Sequence, residues 1–147
     1  DRDIETIILH MHGGGFLALS SRSMQVYTRR WARDLNIPVF SVDYRMPPEH
    51  RFPTAPMDCL KVYKFLVNKV HKYFNIRPKK IILAGDSAGG NLAFSLTALI
   101  MKEGLPIPHG ILAAYPACDL RKRFSPSKLF AFTDPLLNPA MLLLCLK

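Results

Sequence analysis

The segment from residue 85 to residue 90, Gly-Asp-Ser-Ala-Gly-Gly, constrains the fold of this chain more than any other part of the sequence. It directly follows the apolar run Ile-Ile-Leu-Ala and fits the pattern G-x-S-x-G, in which a serine occupies a sharp turn between a strand and a helix. Glycine is needed two residues before and after that serine because a side chain there would collide with the neighbouring strand or helix. The pattern therefore predicts that Ser87 is a catalytic nucleophile whose hydroxyl is exposed at the carboxyl end of a strand.

A second glycine-rich segment, Gly13-Gly14-Gly15, follows the first strand-like run of the chain. A glycine loop at the end of a strand can turn its backbone N–H groups toward the oxyanion that forms when a serine attacks an ester. Gly14 and Gly15 are the expected donors, together with the N–H of the residue after the serine, and Gly13 shapes the same turn. The predicted oxyanion hole therefore consists of Gly13, Gly14, Gly15 and Ala88.

Strand-like and helix-like segments alternate along the chain, which is typical of a parallel sheet with helical crossovers. Apolar runs predict strands at residues 4–11, 38–43, 80–85 and 110–115. Apolar residues at spacings of three and four predict helices at residues 20–35, 57–74 and 88–102. The expected architecture is an α/β fold with a doubly wound parallel sheet, in which Ser87 lies at a strand–helix elbow.

Three motifs of this sequence can be read together. They are His-Gly-Gly-Gly-Phe at residues 12–16, Asp-Tyr-Arg-Met-Pro-Pro-Glu-His-Arg-Phe-Pro at residues 43–53, and Gly-Asp-Ser-Ala-Gly-Gly-Asn-Leu at residues 85–92. In combination they resemble the hormone-sensitive lipase family of α/β-hydrolases, its animal members in particular. The similarity continues through residues 111–116, 125–129 and 134–137, so it covers nearly the whole chain. The resemblance implies an α/β-hydrolase fold, hydrolysis of acylglycerol or steryl esters, and no cofactor.

The resemblance also implies roles for individual residues. Ser87 would attack the ester and form an acyl-enzyme that water then hydrolyses. His12 would support the shape of the glycine loop; the alternative role, that of a general base, requires the serine hydroxyl within hydrogen-bond reach. Asp86 matches a residue of the family motif and not the acid of a catalytic triad. Strand–turn geometry should point its carboxyl group away from the Ser87 hydroxyl.

A complete catalytic triad is not expected from these residues. In this fold the order along the chain is serine, then acid, then histidine. The one histidine after Ser87 is His109, which falls at the amino end of a predicted strand and hence at the wrong edge of a parallel sheet. Asp134 stands in an Asp-Pro-Leu context like that of the family's acid, but one strand fewer than expected precedes it. The chain is interpreted as the amino-terminal part of a catalytic domain, inactive on its own.

The chain is divided into two parts by its pattern. Residues 1–118 are interpreted as a truncated α/β-hydrolase core. Residues 119–147 lose the alternation of strands and helices, and they are interpreted either as the approach to a cap or regulatory segment or as a frayed tail. Within them, Ser125 follows Arg-Lys-Arg-Phe and matches a site for a basic-directed kinase. Two other functions stay open: a non-catalytic, receptor-like homologue that binds a small molecule, and an inactive fragment.

Composition and spacing limit the partners of this chain. The formal net charge is +9, but the basic residues are scattered without interleaved aromatic residues, so nucleic-acid binding is not expected and weak contact with anionic lipid surfaces is the minor alternative. The 3 cysteines lack paired or metal-binding spacing, which indicates reduced thiols in a cytoplasmic protein. The family resemblance implies lipid-droplet surfaces as a second location. The longest apolar tract is shorter than the roughly 20 residues of a membrane span. No metal is expected, and oligomeric state stays open.

Overall fold

The computed structural model describes residues 4–121, 126, 132–134 and 138–145 of the chain. Its elements are four strands and five helices within those ranges. The strands are β1 (Thr6–Met11), β2 (Val39–Val42), β3 (Lys80–Asp86) and β4 (Gly110–Ala114). The helices are α1 (Gln25–Leu35), α2 (Thr54–Asn68), α3 (Val70–Phe74), α4 (Ala88–Lys102) and α5 (Pro139–Cys145). Among these helices none is both long and apolar enough to cross a membrane.

The strands form one parallel sheet in the order β2-β1-β3-β4. Met11 lies opposite Val42 on one side and opposite Gly85 on the other, and Asp86 lies opposite Ala114. This register brings the carboxyl ends of all four strands to the same edge of the sheet. The residues that follow β1, β3 and β4 therefore meet at that edge. The predicted α/β fold with a parallel sheet is confirmed.

Helices cover both faces of the sheet. Successive side chains of a strand point to opposite faces, so those of β1 are buried against different helices. From β1, the side chains of Ile7, Leu9 and Met11 are fully buried in the main core. That core also contains residues of α2 and α4, namely Leu60, Tyr63, Leu66, Leu92, Leu96 and Ile100. The alternate residue His10 instead contacts Tyr27 and Trp31 of α1. Burial on both faces explains why β1 has a nearly continuous apolar sequence.

Two predicted helices have different bounds in the structure. The helix predicted at residues 20–35 begins only at Gln25, because Ser21 donates both its N–H and its hydroxyl to the Asp43 carboxylate and residues 20–24 form turns. The helix predicted at residues 57–74 is two helices, α2 and α3, separated at Lys69. The helix α2 also begins earlier, at Thr54. Its first turn contains Pro56, where the missing N–H costs no hydrogen bond.

Candidate active site

Ser87 lies at the turn between β3 and α4 with φ of 52° and ψ of −116°. Positive φ is uncommon for a residue other than glycine, so this conformation must be held by its surroundings. The Ser87 N–H donates to the Ala114 carbonyl at 2.9 Å, and the Ser87 carbonyl accepts from the N–H groups of Asn91 at 3.1 Å and Ala117 at 3.2 Å. These three hydrogen bonds fix the backbone while the residue stays partly exposed. The predicted strand–helix elbow is therefore present.

The glycines around Ser87 are required by close backbone contacts. A Cβ on Gly85 would collide with the Gly89 carbonyl, and a Cβ on Gly89 would collide with the Met11 carbonyl. A Cβ on Gly90 would come within 2.9 Å of the Pro116 side chain. The collisions expected from the G-x-S-x-G pattern are confirmed. They show that the first turn of α4 packs directly against the end of β1.

The glycine loop begins immediately after β1 and is tied to Asp86. The Gly13 N–H donates to Asp86 Oδ1 at 3.2 Å, and a Cβ on Gly13 would collide with the same carboxylate. Gly14 and Gly15 have φ of 108° and 63°, and the Gly14 carbonyl accepts from two N–H groups of the turn that follows. Because the N–H and C=O of a trans peptide point in opposite directions, the Gly15 N–H points away from the interior of that turn. The Gly15 amide is thus presented on the outer side of this turn.

His12 is fully buried at the start of this loop. Its ring stacks on Tyr44 with centroids 4.3 Å apart, and its Nδ1 lies 2.7 Å from the Gly13 carbonyl oxygen, to which it donates. The Tyr44 hydroxyl donates to the His12 carbonyl at 2.8 Å. The His12 Nε2 has no hydrogen-bond partner among the residues that the structure describes. These contacts join the loop to the end of β2 and are those of a residue that supports loop shape.

A partly buried chain of hydrogen bonds ends at Asp86. The Tyr27 hydroxyl donates to Asp86 Oδ1 at 2.9 Å and lies 2.9 Å from His10 Nε2. His10 Nδ1 lies 2.7 Å from the Ser41 hydroxyl. Burial lowers the pKa of His10 to about 4, an effect only partly offset by the nearby Asp86 charge. Burial and the hydrogen bond to Asp86 raise the pKa of Tyr27.

Sequence reasoning did not assign His10 or Tyr27 to the site. A histidine inside an otherwise apolar strand, separated by one residue from His12, is the signal that could have found the first. His10 lies within β1 on the face that α1 covers, whereas His12 follows the end of that strand and stacks on Tyr44. Tyr27 gives a weaker signal, since an aromatic residue on the inner side of a helix usually belongs to the hydrophobic core and has no role in a site.

His109 lies at the opposite end of the sheet from Ser87. Its N–H donates to the Ile81 carbonyl at 2.8 Å, near the start of β3, whereas Ser87 follows the end of that strand. A seven-residue strand separates them by roughly 20 Å at about 3.3 Å per residue. The expectation that His109 lies at the wrong edge is confirmed. Asp134 is exposed, and Ser125 lies outside the described residues.

The helix α5 lies against the glycine loop. A Cβ on Gly15 would collide with Cys145 Sγ, so this thiol is in close contact with the loop backbone. All three cysteines, Cys59, Cys118 and Cys145, are free. Burial raises the pKa of the Cys59 thiol to about 12. No group of three or more His, Cys, Asp or Glu side chains suited to a metal ion occurs within the described ranges.

Comparisons with known proteins agree with the fold. The profile of a family described as having an alpha/beta hydrolase fold matches residues 8–147. Hormone-sensitive lipase of Homo sapiens is 42% identical over 140 residues, 95% of this chain and 13% of that protein. The same lipase of Mus musculus is 41% identical over 139 residues, 95% of this chain and 18% of that protein. A solved structure of a hormone-sensitive lipase from a metagenome library aligns with a TM-score of 0.82 at 32% identity, covering 97% of this chain and 46% of that one. The chain spans less than half the length of these relatives.

Proposed function

This chain belongs to the α/β-hydrolase family, as its motifs predict. We propose that the whole protein containing it is a carboxylic-ester hydrolase and that Ser87 is its nucleophile. The observation that carries the proposal is the conformation of Ser87. A non-glycine residue at φ of 52° is held by three backbone hydrogen bonds at the point where a strand meets a helix. Strain of this kind is concentrated at functional sites.

The proposed reaction has two steps. The Ser87 oxygen attacks the ester carbonyl carbon and its proton passes to a base; the alcohol then leaves with a proton and an acyl-enzyme forms. Water attacks the acyl-enzyme, and the carboxylic acid is released as the proton returns to Ser87. The negative charge that develops on the carbonyl oxygen would be stabilised by N–H groups of Gly14, Gly15 and Ala88. The amino-terminal end of α4 adds its positive dipole at the same place.

Gly13 has a different part in this proposal from the other two glycines. Its N–H already donates to Asp86, so it is engaged with a carboxylate and fixes the start of the loop. His12 then supports the loop from below by its hydrogen bond to the Gly13 carbonyl. The oxyanion hole therefore has three donors, and Gly13 and His12 set their position.

The base and acid of the triad are proposed to lie outside residues 1–147. The histidine nearest in sequence after Ser87 is at the far end of the sheet, and the solved relative is about twice as long as this chain, which covers 46% of it. The substrates proposed are acylglycerol or steryl esters, as the similarity to proteins named hormone-sensitive lipase suggests. The proposed location is cytoplasmic, with lipid-droplet surfaces as a second location, to which the net charge of +9 would add weak attraction wherever the surface is anionic.

The test is covalent labelling of the whole protein that contains these residues. A p-nitrophenyl organophosphate should modify Ser87 stoichiometrically, and mass spectrometry of the peptide containing residues 85–92 should locate the phosphoryl group. Ser87→Ala should abolish labelling and lower turnover of a short-chain p-nitrophenyl ester by about 10⁶-fold, the usual cost of losing a triad serine. Turnover near the parental rate in Ser87→Ala would refute the assignment. Specific binding of an ester without turnover would instead favour a receptor-like protein.

A further inference from the structure

We propose that Tyr27 is a positioning residue for the oxyanion hole. Through its hydrogen bond to Asp86, Tyr27 fixes the carboxyl group that holds the Gly13 amide, and with it the loop that carries Gly14 and Gly15. The inference rests on the proposed ester-hydrolase function because it assigns a role within the same site. Tyr27 itself touches neither the serine hydroxyl nor the amides of the hole, so its effect is exerted through Asp86.

The hydrogen-bond partners determine the direction of the chain. Tyr27 has one hydroxyl hydrogen, which it donates to Asp86, so its oxygen must accept from His10 Nε2. A neutral imidazole with its hydrogen on Nε2 accepts at Nδ1, and the Ser41 hydroxyl supplies that hydrogen. Each group therefore donates its hydrogen to the next one, from Ser41 of β2 through His10 of β1 and Tyr27 of α1, and Asp86 is the last acceptor. The low pKa of His10, about 4, keeps this arrangement intact at neutral pH.

Asp86 is the side chain that links the elbow to the glycine loop. It immediately precedes Ser87 and accepts from Gly13, which immediately precedes the two proposed glycine donors. The contact is tight on the loop side, since a Cβ on Gly13 would strike the carboxylate. The Tyr27 hydroxyl donates to Oδ1, the same oxygen that accepts from the Gly13 N–H, and so fixes the rotation of this carboxyl group. Loss of that hydroxyl would free the carboxyl group to rotate and the Gly13 amide to move.

A purely structural role for Tyr27 predicts a different result from a positioning role. A residue that only stabilises the fold changes the amount of active protein, but each folded active site turns over at the parental rate. A residue that positions oxyanion donors lowers kcat with little change in KM, because those donors bind more strongly in the transition state than in the ground state.

The variant Tyr27→Phe keeps the ring and removes the hydroxyl. Tyr63→Phe is the matched control, because the Tyr63 hydroxyl donates to the Pro106 carbonyl, which lies toward the amino edge of the sheet and away from Ser87. In the whole protein, active sites are titrated with the organophosphate before turnover is measured. Tyr27→Phe should lower kcat per titrated site about tenfold with KM unchanged, less than the ~10²–10³-fold cost of deleting one oxyanion donor. Tyr63→Phe should leave kcat per site unchanged. A kcat within twofold of the parent in Tyr27→Phe overturns the inference.

A second measurement does not depend on ester hydrolysis. In the parent, the buried Gly13 N–H donates to a carboxylate and should exchange slowly with deuterium; in Tyr27→Phe it should exchange at least about tenfold faster, and in Tyr63→Phe at the parental rate. If the parent neither labels nor turns over esters while Gly13 still responds in this way, the proposed function fails and the link from Tyr27 to the loop stands. Equal Gly13 exchange in the parent and Tyr27→Phe overturns the inference. If Tyr27→Phe does not fold, Ser41→Ala is the second variant, because it removes the first donor of the hydrogen-bond chain that ends at Asp86. The Gly13 N–H should then exchange faster than in the parent, and an unchanged exchange rate overturns the inference.

Discussion

The Ser87 N–H donates to the Ala114 carbonyl at 2.9 Å, so the elbow of one strand is bound to the last residue of its neighbour. The connection continues beyond β4, because the Ala117 N–H donates back to the Ser87 carbonyl at 3.2 Å. The strained backbone of Ser87 is therefore held by the last residue of β4 and by a residue of the segment that follows β4. The position of the proposed nucleophile depends on that segment as much as on its own helix.

The first prediction concerns Asn91, which secures this segment. Its Nδ2 donates to the Ala117 carbonyl at 2.8 Å, so Asn91→Ala should loosen the residues that hold Ser87. The free energy of unfolding should fall by about 1 kcal/mol, the usual net value of one hydrogen bond, and ester turnover per titrated site should fall as well. Thr97→Ala is the control. The Thr97 side chain likewise donates to a backbone carbonyl, that of Ala93, but it lies further along α4 and away from Ser87. Equal turnover per site in both variants would contradict the prediction.

The second prediction concerns the contact between α4 and β1. Gly89→Ala should destabilise the fold by more than about 3 kcal/mol, because its Cβ would collide with the Met11 carbonyl and neither backbone can move without breaking the sheet edge. Gly110→Ala is the control: its Cβ meets only the Ile82 Cγ2, at 4.0 Å. Urea unfolding followed by circular dichroism measures both. A Gly89→Ala variant as stable as Gly110→Ala would show that the two elements do not pack as described.

The third prediction concerns pH and the buried His10. Its pKa falls from 6.5 to about 4 in the folded protein because of burial. Below pH 6.5 the unfolded chain binds a proton that the folded protein does not bind until pH 4, so this contribution to stability is present above pH 6.5 and is lost as the pH falls toward 4. Between pH 7.5 and 4.5 the loss should be about 2 to 3 kcal/mol.

The measurement is the free energy of unfolding in urea at both pH values. The loss of stability between them should be smaller by that amount in His10→Gln than in the parent. His71→Gln, which alters an exposed histidine, should behave like the parent. The same pH dependence in the parent and His10→Gln would mean that His10 takes up a proton as readily in the folded protein as in the unfolded chain.

The sequence allowed the sheet and the elbow to be predicted because their signals are local. Each strand is a largely apolar run, and the glycines around Ser87 form a motif of five adjacent residues, although Gly89 avoids a collision with the distant Met11. The bounds of α4 were predicted correctly for the same reason, since Ser87 precedes its first residue and Gly104 closely follows its last. Local patterning was sufficient wherever the determining contacts lay within a few residues of the chain.

The features that were missed depend on contacts between distant residues. The start of α1 is set by Asp43, which is 22 residues from Ser21 and binds both its N–H and its hydroxyl. The chain from His10 to Asp86 requires Tyr27, which is 59 residues from the carboxylate that it binds. Neither partner can be identified from periodicity, because an aromatic residue inside a helix and an aspartate after a strand each satisfy their own local pattern. Only the folded arrangement shows that they meet.

The last prediction is that a polypeptide of residues 1–147 alone hydrolyses esters poorly. Ser87 and the proposed oxyanion donors are present, but His109 lies at the far end of the sheet and the His12 Nδ1 is occupied by the Gly13 carbonyl. Binding and an oxyanion hole without a triad give only ~10³–10⁴-fold acceleration over water, against the further ~10⁶-fold that a triad supplies. Leu112 of the edge strand β4 is 55% exposed. Because an exposed apolar edge strand can pair with another copy, this polypeptide should associate with itself.

The measurement compares the purified polypeptide with the whole protein that contains it, using a p-nitrophenyl ester for turnover, an organophosphate for labelling and size-exclusion chromatography for association. Turnover should be lower by several orders of magnitude, with slow labelling of Ser87 and elution ahead of a monomer. Ser87→Ala in the same polypeptide is the control for adventitious hydrolysis. Turnover within tenfold of the whole protein that is abolished by Ser87→Ala would show that a base within these residues reaches the serine. His12 would then be the first residue to replace, because its buried Nε2 has no partner in the described part of the chain and is therefore free to accept a proton.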